Sequence, residues 1–256
     1  MYYTQVLRVK RAFVWFACIS VGLWLLIVAV AAANGAYEMP LHPSRDEGIP
    51  LPALFALAGF IAAIFIAIFG RSLSEENEMH QPVVWTKPFS RARIAMAYAG
   101  ISALGMLAAF ALTLVLVVAF IATFRAVGFI DVTPDSGIQL LRFLAFPLSY
   151  YAILVAATAS LGKAGRGVFG WVLVASILFP ILESADFGRP WNQIFAAVNV
   201  INPLTYFGDL QSKGSSTGWH AVQAVAPAVS VDLAALSLLC SVGLALGVWQ
   251  WRRLES

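Results

Sequence analysis

The chain has 256 residues, 61% of them hydrophobic and only 11% charged, with a formal net charge of +3. A soluble domain carries about 25% charged residues, so this composition excludes an ordinary water-soluble fold and marks a membrane protein. The small positive charge calls for no nucleic-acid partner.

Six apolar stretches can be cut from the chain, at about 12–33, 51–70, 94–124, 138–162, 167–187 and 226–249. Each is near or above the ~20 residues that a helix needs to cross ~30 Å of hydrocarbon. The runs are continuously apolar rather than alternating, which favours helices over a barrel. The expected fold is all-α: an integral membrane bundle of six transmembrane helices forming a single domain over residues 1–256.

The first stretch follows Arg8, Lys10 and Arg11 and precedes the small-residue run "AVAAANGA". Its apolar core exceeds the 7–15 residues of a secretory signal, so it reads as an uncleaved first helix. Residues 34–50, punctuated by Pro40, Pro43 and Pro50, form an outer loop. The third stretch runs uncharged from Ile94 to Phe124. It spans about 46 Å at 1.5 Å per residue, so it must tilt or project beyond the bilayer.

Between the fifth and sixth stretches lie some forty residues whose first half holds an apolar run, Ile194 to Ile201, stopped by Asn202-Pro203. That run is too short to cross and reads as a re-entrant or interfacial segment over 191–208. The following "QSKGSSTG" is a polar loop.

Orientation follows from the basic residues. With the N-terminus in the cytoplasm, the inside carries Arg8, Lys10, Arg11, Arg71, Lys87, Arg91, Arg93, Lys163, Arg166, Arg252 and Arg253, eleven of the sixteen Lys and Arg. The positive-inside rule then places both termini in the cytoplasm. Trp15, Trp85, Trp249 and Trp251 near inner ends, with Trp191 and Trp219 outside, read as interfacial anchors. Cys18 and Cys240 lie in apolar stretches without ligand spacing and read as small core residues.

One cytoplasmic segment differs from its surroundings. "SEENEMHQPVVWTKPFSRAR", residues 74–93, puts three glutamates, two prolines and three basic side chains between two uncharged spans. Ser72 with Glu75 has the form of a capping box, and Glu75, Glu76 and Glu78 crowd a helix beginning, where carboxylates meet the positive end of the macrodipole. A short helix over about 74–81 is expected, after which Pro82 and Pro88 bracket a turn and the chain re-enters the membrane near Ser90. A solvated loop whose arginines anchor a helix end to lipid would also be polar.

The order of these features resembles the ABC type-2 permeases, the six-helix membrane subunits of ABC exporters. In that family an acidic segment after the second span is followed by a Pro-x-Ser-Arg element before the third, and Pro88, Ser90 and Arg91 stand at those positions. The short stretch before the last span, with "INPLTYFGDL" at its exit, and the terminal "WQWRRLE" also fit.

The resemblance implies that Glu75, Glu76, Glu78, Pro88, Ser90 and Arg91 belong to a coupling helix seated on a separate ATP-binding subunit. It also implies two such subunits carrying ATP and Mg, a second permease chain as homo- or heterodimer partner, and a place in the plasma or inner membrane of a prokaryote. The chain itself has no G-x-x-x-x-G-K-[ST] stretch; "LGKAGRG" at 161–167 lacks the spacing and reads as a tight basic turn.

Other chemistry is weaker. Glu75, Glu76 and His80 are no zinc protease set, because the three histidines, His42, His80 and His220, are scattered, and a catalytic zinc needs three converging ligands. Arg142, Glu183, Asp186 and Asp232 sit near outer span ends. They are either snorkelling or mutually paired charges, or polar residues of an outer gate. Asp232 falls about 8 Å inside its span, where an unpaired carboxylate would be costly. A stand-alone channel or secondary carrier would place charge or broken helices near the midplane, and these spans have almost none. A non-transporting anchor that docks a partner through residues 74–93 is the other alternative.

Overall fold

The computed structural model describes residues 2–33, 49–65, 73, 90–123, 130–132, 134–185, 187–207 and 226–253. Its helices are α1 (Tyr2–Ala33), α2 (Leu51–Ile64), α3 (Arg91–Thr123), α4 (Ser136–Thr158), α5 (Gly165–Ser184), α6 (Arg189–Asn199) and α7 (Ala226–Arg253), with a 3-10 turn at Pro203–Tyr206. Among the described residues, five segments are long and apolar enough to cross a membrane: Gln5–Ala33, Ala92–Thr123, Ser136–Thr158, Gly162–Glu183 and Val229–Arg253. The chain is therefore a helical membrane protein by the length and composition of its helices. The described part of the expected second span, α2, is 14 residues long, about 21 Å; residues 66–70 of that stretch lie outside the described residues.

Helix ends follow local chemistry. The Ser90 hydroxyl accepts from the Arg93 N–H at 3.4 Å, an N-cap for α3, so Ser90 and Arg91 mark the helix start foreseen there. Pro52 sits in the first turn of α2, where a missing N–H costs nothing. A two-residue parallel bridge pairs Ile49 with Ile130 and Pro50 with Asp131, fastening the start of α2 beside the chain that leaves α3. The 161–167 turn contains Gly162 at φ 49°, in the left-handed region that glycine tolerates.

α4 is the central helix. It packs against α2, α5, the 203–206 turn and above all α7. The α4–α7 contact is made possible by Gly243 and Gly247. A Cβ on Gly243 would lie 2.8 Å from the Ala152 carbonyl carbon, and one on Gly247 would lie 2.6 Å from Val155 Cγ1. These glycines form a G-x-x-x-G pattern, the small-residue stripe that lets two membrane helices approach backbone to backbone.

The contact of α2 with α4 has a related cause. Pro147 cannot donate to the Phe143 carbonyl one turn earlier, and Gly59 approaches that carbonyl so closely that a Cβ would lie 2.8 Å from it. The main core gathers Ile94, Tyr98, Met106, Tyr151, Leu154, Val155 and Trp251, and a second cluster joins Phe55, Ala58, Ala62, Phe110 and Phe143.

Register fixes direction. Arg142 meets Asp232, Ala152 meets Gly243, and Ser160 meets Gln250, so α4 and α7 run parallel. The described chain crosses the bundle between them through α5, and the end of α5 and the start of α7 lie at the same end. The described acids Asp131, Asp135, Glu183 and Asp232 all belong to that end, whereas Arg93, Lys163, Arg166, Arg252 and Arg253 belong to the opposite one.

Two expectations are corrected. Trp251 is 3% exposed and belongs to the main core, not to an interfacial belt, while Trp15, Trp191 and Trp249 are well exposed. Trp85 and Trp219 lie outside the described residues. Cys18 is exposed and Cys240 half-buried, so neither is a core residue. Among the described residues α1 packs chiefly on α3, which leaves most of its surface, Cys18 included, facing outward.

Candidate functional site

Polar side chains in the described helices converge at the acidic end. Arg142, 3% exposed, places Nη2 at 2.8 Å from Asp232 Oδ2, donates Nε–H to the Tyr206 carbonyl at 2.8 Å, and turns Nη1 toward Gln139 Oε1 at 3.5 Å. A guanidinium has no acceptor capacity and five donors in a fixed fork. One face of that fork therefore joins three parts of the chain, namely α4, α7 and the 203–206 turn.

The turn is built by its own side chains. Asn202 accepts from the Leu204 N–H at 3.2 Å, an Asx-type cap that starts the 3-10 turn ahead of Pro203, and its amide donates to the Ser176 carbonyl of α5 at 2.8 Å. Thr205 donates to the Asn199 carbonyl at 3.0 Å and the Tyr206 hydroxyl to the Val200 carbonyl at 2.7 Å. Asn199 donates to Glu183 of α5, and the Tyr150 and Ser176 hydroxyls bond between α4 and α5. Phe207 completes the strap by packing on Phe146 at 4.6 Å, Phe143 at 5.4 Å and Phe60 at 6.2 Å.

α6 leads into this strap. It opens after Gly188, whose φ of 94° is reserved in practice for glycine, and carries Pro190 in its first turn. Its apolar residues Trp191, Ile194, Phe195 and Val198 follow helical spacing. Phe195 packs on Phe179, Phe187 and Trp191, whereas Trp191 and Ile194 remain exposed. Eleven residues, about 16 Å, cannot span a bilayer.

The four acidic-end residues singled out in the sequence thus part company. Arg142 and Asp232 pair with each other, Glu183 binds Asn199 instead, and Asp186 lies outside the described residues. Gln139, Ser176, Asn199, Asn202 and Tyr206 belong to the cluster and were not foreseen; the Asn-Pro step was legible, but as a helix stop.

Burial and the Asp232 carboxylate hold the Tyr206 phenol above its ordinary pKa, so it stays a neutral donor. Among the described residues no three His, Cys, Asp or Glu side chains cluster as metal ligands. The arrangement supplies a charge-locked strap with one carboxylate, Asp232, 24% exposed at its edge.

The other candidate set, Glu75, Glu76, Glu78 and Pro88, lies outside the described residues; Ser90 and Arg91 bound it at the start of α3. No known protein family, curated protein or solved structure matches the chain.

Proposed function

We propose that the chain is the membrane-spanning permease subunit of an ATP-driven exporter of the ABC type-2 kind, with ATP bound and hydrolysed by a separate subunit. One observation carries most weight: α4 and α7 are parallel, and Arg93, Lys163, Arg166, Arg252 and Arg253 lie at the end of the bundle opposite the four described acids, where Arg142 and Arg189 are the basic residues. Under the positive-inside rule the basic end is cytoplasmic. α3, which follows residues 74–89 in the chain, starts at Arg91 at that end.

In this reading α2 extends to a sixth span and α6 with the 203–206 turn re-enters the outer leaflet without crossing. Residues 74–91 seat on the ATP-binding subunit, through Glu75, Glu76, Glu78 and the Pro88-Ser90-Arg91 element. The 33 residues of α3, about 50 Å of continuous helix, carry motion from that contact to the outer end. There the Arg142–Asp232 pair and the strap form an outer gate, with Glu183 and Asp186 at its rim.

Two permease chains and two ATP-binding subunits complete the assembly. The test is purification of the complex, identification of its companion chains by mass spectrometry, and reconstitution into liposomes. An exporter shows ATP hydrolysis stimulated by its substrate, whereas an assembly anchor does not.

A further inference from the structure

At the basic end a groove of about 450 Å3 opens between α3 and α7, lined by Met96, Ser241, Leu244, Val248, Trp249 and Arg252, with Ala245 between them. Its size is that of a small-molecule site. Its walls are apolar except for a hydroxyl at one end and a guanidinium at the other. From Ser241 to Arg252 is eleven residues of α7, about 16 Å, which equals the hydrocarbon of one leaflet, half of ~30 Å. The groove therefore begins where a headgroup lies and runs as deep as an acyl chain reaches.

Among the described residues, charge at its mouth is of one sign. Arg252 lines the groove, and the Arg253 guanidinium lies 3.9 Å over the Trp249 ring that forms one wall. Arg93 lies one turn before Met96 on α3. The described parts of the two helices hold a single acid, Asp232, twenty positions from Arg252 and so about 30 Å away. A phosphate at the mouth meets cations and no competing carboxylate in these helices.

We propose that this groove binds one phospholipid with an anionic headgroup, its acyl chain along Leu244 and Val248 and its phosphate on Arg252. Basic pockets between membrane helices are suited to anionic lipid heads, and each arginine near the surface contributes about a fivefold preference.

The experiment is quenching of tryptophan fluorescence in nanodiscs by brominated phosphatidylglycerol or brominated phosphatidylcholine, with W249F subtracted to isolate Trp249. Half-quenching is expected at about fivefold lower mole fraction of phosphatidylglycerol. R252Q, at the exposed helix end, brings the two lipids within about twofold, and A245F, which fills the groove, lowers quenching by both. Excess inorganic phosphate leaves quenching unchanged, because the acyl chain supplies much of the binding. Equal half-quenching by the two lipids overturns the proposal, as does a preference that survives R252Q, quenching untouched by A245F or displacement by free phosphate. No Trp249 quenching at all means that protein covers the groove, and also overturns it.

Discussion

Arg142 of α4 and Asp232 of α7 meet at 2.8 Å, and the arginine spends a second donor on the backbone carbonyl of Tyr206. One buried cation thus ties two parallel helices in register and pins the strap that precedes the last of them in the chain. Removing one partner of a buried pair leaves an uncompensated charge and costs ~3–5 kcal/mol. D232N and R142Q should each destabilise the protein by that order in detergent unfolding, and the double variant by clearly less than the sum. Additive losses would mean that the two groups do not depend on each other.

Gly243 touches the α4 backbone while Gly170 on α5 faces open space. G243A should therefore cost ~1–3 kcal/mol through overpacking, whereas G170A should be neutral or stabilising by up to ~1 kcal/mol through helix propensity. Thermal unfolding of the two variants side by side checks this, and equal effects would show that the helices do not approach as closely as described.

Tyr206 should make stability fall at alkaline pH. Its folded pKa lies above the ordinary 10.0, through burial and then through Asp232. The unfolded chain therefore loses the phenolic proton first, and stability present below pH 10 declines as pH rises through the folded value. Y206F should flatten that decline, measured as the difference in unfolding midpoint between pH 9 and pH 11. An identical slope in both proteins would place Tyr206 in water.

Topology gives an independent check. With Cys18 and Cys240 removed, single cysteines at Ser74 and Ser215 should label from opposite sides of the membrane. Labelling of both from one side would contradict the proposed six-span topology.

The long apolar elements were legible because hydropathy and length suffice to define them: 138–162 became Ser136–Thr158, and 226–249 became Ala226–Arg253. α1 begins ten residues before its apolar run, since Arg8, Lys10 and Arg11 end a hydrophobic stretch without ending a helix. Arg142 and Asp232 could be chosen by their cost in an apolar span, but their pairing depends on helix register. That register rests also on the close approach at Gly243 and Gly247, whose spacing was present in the sequence and carried no charge to draw notice. The strap was illegible for another reason: Asn202 and Thr205 bond to carbonyls, which every residue offers, so their partners exist only once α5 and α6 are packed. Trp251 was misplaced because an indole near a helix end serves equally as an anchor and as core.

Residues 74–91 are proposed to couple the helices to an ATP-binding subunit. Exposed charges within one chain are worth only about 0–1 kcal/mol, so E75K/E76K should leave insertion and thermal stability unchanged. At a docking surface like charges cost several kcal/mol. Once the companion subunit is identified, its pull-down by the double variant, read beside ATP turnover and transport in reconstituted vesicles, decides the matter. The account predicts binding weakened roughly tenfold or more and hydrolysis uncoupled from transport; normal binding with normal transport would contradict it and leave the segment a solvated loop.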